Sequence, residues 1–145
     1  KLEQDKQDAY DNELKQLYSH PNDAVRVLSR RVQDIQGIMQ VKRSKIETIR
    51  KNILAEETKA ADRQRRGLSI SESTLEQLDK YKGDIVNNEH DIAELHSELD
   101  KVKADFDLKI KRLEQFTGKK ATDYAALLAP PVNELENKAT AESTP

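Results

Sequence analysis

Three histidines, His20, His90 and His96, are the side chains in this sequence best suited to metal binding or to proton transfer near neutral pH. His90 and His96 are six residues apart, which places them on different faces of a helix. Neither forms the H-x-x-x-H pair that holds a metal on one helical face. We read all three as surface or seam-edge residues. Carboxylates are plentiful, with Glu89, Asp91 and Glu94 close together. Paired acid/base work requires a concave and partly dry pocket, however, and nothing in the pattern builds one. The chain has no cysteine, so it has no thiol nucleophile, thiolate metal site or disulfide framework. Phosphate-cradling glycine loops and nucleophile elbows are also missing. We expect no enzyme, cofactor, bound metal or small-molecule substrate.

One cluster has a different chemistry. Arg63, Arg65 and Arg66 flank a glutamine just before Gly67. At the end of a helix they complement its dipole. At the tip of a hairpin they would instead meet phosphate or an acidic surface. No aromatic residue interleaves with them, so base stacking has no support. Nucleic acid is thus the alternative partner rather than the leading one.

The elements carrying these residues are helices. In 145 residues, 36% are charged and 35% apolar, with a net charge of −2. That is too little apolar volume for a thick core, yet the charges are too mixed for a disordered chain. Between Pro21 and Pro130 there is no proline, and interior proline would cost a helix about 3 kcal/mol. Within that window apolar residues alternate at spacings of three and four. One series runs Val25, Leu28, Val32, Ile35, Met39, Ile46, Ile49, Ile53, interrupted at Lys42. The second runs Leu78, Tyr81, Ile85, Ile92, Leu95, Leu99, Val102, Phe106, Leu113, Phe116, interrupted at Asn88 and Lys109. These are heptad a and d positions, and so narrow a stripe is a coiled-coil seam. The polar interruptions fix register or mark where a partner's polar groups dock.

Gly67 ends the first series, and Ser69…Glu72 and Ser73…Glu76 each have capping-box spacing. Two helices follow, roughly 22–66 and 71–117. Ser19 or Asn22 is expected to cap the first around Pro21. Residues 22–66 carry 12 Lys/Arg and 6 Asp/Glu, and residues 67–116 carry 7 and 12, so the net charges are +6 and −5. Arg31, Arg43, Lys45, Arg50 and Lys59 occupy e and g positions of the first. Asp84, Glu89, Asp91, Glu98 and Asp105 occupy those of the second. Like repels like in a parallel homodimer of either helix, whereas the two helices suit each other. Mixed charges that are merely solvated are the competing explanation.

The fold class expected is all-α: an elongated antiparallel coiled-coil hairpin with a short N-terminal helix and a short C-terminal helical segment. Residues 1–20 hold the N-terminal helix, and 21–117 the hairpin, turning near 67–72. A short apolar segment occupies 118–136 and a flexible tail 137–145. Two registers keep a opposite d. The first sets Met39 opposite Leu95 and Lys45 near Asp91. The second slides by one heptad and sets Leu28 opposite Leu113, with Arg50 near Glu89. A domain-swapped dimer suits the same charges.

Ile38, Val41, Leu54, Leu75, Leu108 and Ile110 are apolar yet lie off the seam. A two-helix hairpin exposes them, and exposed apolar patches mark interfaces. Tyr124, Leu127 and Leu128, with Val132 and Leu135, form either a docking motif or a cap folded back on the hairpin. We therefore expect a non-catalytic, intracellular assembly, scaffold or tethering subunit. Its partners would be other protein chains, in a homo-oligomer or a hetero-coiled-coil complex. No apolar run is long enough to span a membrane. Tyr10-Asp11, Leu17 and His20-Pro21, followed by heptads, resemble the smallest subunit of the THO mRNA-export complex. Kinetochore, membrane-tethering and nuclear-pore coiled coils share such positions, and no residue role is carried over.

Overall fold

A computed structural model describes residues 1–130. The expected tail at 137–145, together with Val132 and Leu135, lies outside the described residues. The order is α1 (Leu2–Leu17), α2 (Pro21–Arg65), α3 (Glu72–Thr117) and α4 (Ala125–Leu128). Among the described residues there is no strand, and the two long helices pack against each other. No helix among them is long and apolar enough to cross a membrane.

Each boundary has a local cause. Pro21 opens α2, where its missing N–H costs nothing. The cap is neither Ser19 nor Asn22 but His20. Its Nδ1 accepts the Asn22 N–H at 3.0 Å, and the Asp23 carboxylate accepts the His20 N–H at 3.1 Å. This is the reciprocal logic of a capping box built from His-x-x-Asp. Ser19 contributes indirectly, donating its hydroxyl to Asp23 at 3.0 Å.

At the far end of α2, Gly67 adopts φ +75°, in the left-handed region that favours glycine. There the Leu68 N–H reaches the Arg63 carbonyl at 2.9 Å and the Gly67 N–H the Gln64 carbonyl at 3.0 Å. These two bonds define a Schellman stop. The cap of α3 is then Ser71, not Ser69 or Ser73. Its hydroxyl oxygen accepts the Thr74 N–H at 3.2 Å. The stop at Gly67 leaves only a few residues before α3, and Ser71 is the one at N-cap geometry.

Two compact units result, one made of Lys1–Val32 with the chain from Lys101, the other of Gln33–Asp100. In the first, α1 runs parallel to the end of α3. Asp11 meets Arg112, and Lys15 lies 5.0 Å from the centroid of the Phe116 ring, at the same sequence offset. Leu14, Ala24, Leu28, Ile110 and Leu113 are fully buried there, with Val32, Val102 and Phe106 close behind. In the second unit the long helices run antiparallel, with Lys42 on Asp91 and Arg50 towards Glu89. Ile35, Met39, Ile46, Ala60 and Leu99 are its buried apolar residues. Along α3 nothing from residue 72 to 98 is buried.

Ser71→Ala should destabilise the fold by about 1 kcal/mol, the typical worth of an N-cap. Ser69→Ala and Ser73→Ala should be nearly neutral in the same urea titration. An equal loss at Ser69 or Ser73 would contradict the assignment.

Candidate functional site

Ile38, Val41, Leu54 and Leu108 are exposed, at 49%, 59%, 64% and 66% of their full accessibility. Leu75 and Val86 are exposed as well. Ile110 is different. It was expected on an open patch, but none of its surface is accessible. The chain after α3 folds back along that helix, bonding residues on either side of Ile110. The Ala121 N–H donates to Glu114 at 2.8 Å, the Tyr124 hydroxyl to Asp107 at 2.7 Å, and the Lys103 ammonium to the Ala129 carbonyl at 3.2 Å. Tyr124, Leu127 and Leu128 are consequently half-buried. The Asn22 side-chain oxygen accepts the Thr122 N–H at 2.7 Å, fastening the returning chain to the start of α2.

The apolar seam residues named from the sequence are all buried or half-buried. The polar interruptions find partners locally. Lys42 reaches Asp91 at 2.9 Å, and the Asn88 amide donates to the Asp84 carbonyl at 2.8 Å. Lys109 bonds Asp105 at 2.8 Å and sits 4.9 Å from the Phe106 ring centroid. At the level of Lys42 and Asn88 the second unit bears an open cleft of about 700 Å³. Val41, Lys45, Thr48 and Ile49 line it from α2, and Asp84 and Asn88 from α3.

Electrostatics concentrate in the first unit. Arg112 grips Asp11 through two bonds of 2.7 Å, the fork geometry that suits guanidinium to carboxylate. That contact holds the Asp11 carboxyl below its ordinary value and raises Arg112. Asp107 is also held low, first by the Lys111 hydrogen bond and then by that of Tyr124. The Tyr124 phenol is pushed well above its usual range, mainly by burial and then by its bond to Asp107. Burial raises Tyr10 too, with Asp105 adding to the effect. For Lys109 burial is the largest single influence and acts downward, yet the hydrogen bond and charge of Asp105, with smaller help from Tyr18 and Tyr10, together outweigh it and the ammonium is favoured.

Two constellations escaped the sequence reading. His20 is a cap, and the His-x-x-Asp spacing was the available signal. His90, Asp91 and Glu94 bring one ligand atom each within 4.8 Å of one another, with His90 Nδ1 3.7 Å from Glu94 Oε1. A search for two histidines overlooks this H-x-x-x-E pair. Three donors on one exposed helical turn, one already engaged by Lys42, fall short of the closed four-ligand set of a structural zinc site. At the basic tip, Arg63 donates to the Ser69 carbonyl at 2.9 Å and Arg66 lies 3.3 Å from Asp62. Arg65 is exposed.

The chain matches no family model, no curated protein and no solved structure.

Because Asp11 and Asp107 have folded-state values below the ordinary 3.8, their contribution is complete above the unfolded value. It is lost as pH falls through the folded ones. The melting temperature should hold near neutrality and drop below about pH 4. An Asp11→Asn/Asp107→Asn variant should start lower and show a flatter acid limb in circular-dichroism melts.

Proposed function

We propose that the chain is a non-catalytic coiled-coil assembly or tethering subunit that acts through helix-mediated association with other protein chains. The observation carrying this reading is the half-finished second unit. Its two helices bury five apolar residues, while Ile38, Val41, Leu54, Leu75 and Val86 stand exposed around them. Such residues gain by meeting another apolar surface.

The finer architecture that fits is an antiparallel coiled-coil hairpin in the first of the two registers. There Lys42 faces Ile92 and lies one residue from Asp91, its partner at 2.9 Å. In the second register Lys42 would face Leu99, with Asp91 about 12 Å away along the axis. Arg50 and Glu89, 3.7 Å apart and both largely exposed, are the pair expected of the second register; in the first, Arg50 faces Asp84, about 7.5 Å along the axis from Glu89, a span that a long arginine side chain covers. Exposed pairs of this kind are worth at most about 1 kcal/mol, so they select an alignment more than they stabilise it.

The basic-tip alternative has less to draw on. Arg63 and Arg66 are already engaged with Ser69 and Asp62, and no aromatic side chain interleaves with them to stack on a base.

An Ile38→Glu/Val41→Glu variant should keep its helical circular-dichroism signal and lose self- or partner association in sedimentation velocity. Association of the double variant at wild-type strength would sink the reading. Reversing Arg63, Arg65 and Arg66 to Glu should leave mobility of nucleic acid in a low-salt shift assay unchanged. A wild-type shift that the variant abolishes would instead favour the tip.

A further inference from the structure

Residues 118–130 lie on the first unit as a bound peptide lies on a helix. Their anchors on α3 are Lys103, Asp107 and Glu114, with Ile110 between the last two. Spacings of four, three and four put all of these on one stripe. The order of the contacts, from Glu114 at Ala121 through Asp107 at Tyr124 to Lys103 at Ala129, makes the segment antiparallel to α3. The two sides of this contact are unequal. Within the segment, α4 has no buried residue. Beneath it, Ile110 is wholly covered and Lys103 retains 8% exposure. A shallow segment held mainly by polar anchors opens at much lower cost than the helices beneath it. The joint is Gly118, at φ +68°.

We propose that the Lys103–Asp107–Ile110–Glu114 face is a docking site for the 118–130 segment of a second copy of this chain, exchanged between copies. The contacts themselves specify that occupant. A second copy presents the same phenol to Asp107, the same carbonyl to Lys103 and the same N–H to Glu114, so each bond broken on opening is remade in exchange. The joint of residues 118–120 is short, which gives the chain's own segment an effective concentration of roughly millimolar or more. The closed form therefore prevails in dilute solution, and exchange follows when copies are crowded together. This adds a homotypic contact to the assembly reading. It stands on different residues from the exposed flank of the second unit, and so can fail separately.

The test uses a fluorescein-labelled peptide of residues 119–130 titrated into full-length chains. One is wild type, one carries Tyr124→Ala/Leu127→Ala/Leu128→Ala, and one carries Asp107→Ala in addition. The peptide should bind the segment-weakened chain, and bind both others at least about tenfold more weakly, since one has its own competitor and the other lacks the acceptor. No binding to a segment-weakened chain that stays helical, or equal binding to all three, would overturn the proposal. Sedimentation of the wild type at millimolar concentration is the second measurement. A dimer dissociated by excess peptide supports exchange. A monomer, or a dimer indifferent to peptide, refutes it.

Discussion

Each long helix presents an apolar stripe too narrow to close a core by itself, and this governs the rest of the molecule. Two such stripes laid together bury the residues between them but leave both flanks open. The two units answer the problem differently. In the first, α1 is docked by Asp11 on Arg112, and the returning chain is docked at Asp107 and Lys103. With those elements in place, Leu14, Ile110 and Leu113 reach complete burial. In the second, α2 and α3 have only each other, and the α3 stripe from Leu78 to Leu95 stays half-exposed.

Polar contacts are distributed to match. Where a third element arrives, Asp11 and Arg112 form a bidentate, partly shielded pair with shifted ionisation. Where only two helices meet, the pairs are single contacts, short at Lys42–Asp91 and long and solvated at Arg50–Glu89. A charge pair gains strength as water is withdrawn from it. The same kinds of residue therefore fasten one unit and merely align the other.

Much of the helical layout was legible in the sequence because a heptad stripe is a periodic signal, repeated over many turns. The ends of α2 and α3 fall within a residue or so of their expected places for the same reason, helped by Pro21 and Gly67. Single events were harder. Two S-x-x-E patterns flank the start of α3, but the cap went to Ser71 because the turn at Gly67 determined where the chain re-enters a helix. Histidine is not an obvious cap, so the role of His20 was hidden behind its neighbours Ser19 and Asn22. The burial of Ile110 could not be read from its own surroundings. The segment that bonds Asp107 and Glu114 on either side of it has no periodicity to announce where it lies. The division of the chain at Val32 and Asp100 leaves no break in the heptads.

The Asp11–Arg112 bond also carries a consequence in time. Its two residues are 101 positions apart. At a synthesis rate of about 5–20 residues per second, α1 leaves the ribosome roughly 5–20 s before the arginine that will hold it. Until then Leu14 has no α3 to cover it, while α2 and α3 can begin to zip from the turn at Gly67 as soon as both have emerged. On this order of emergence, α2 and α3 can begin to pair before α1 has the arginine that holds it.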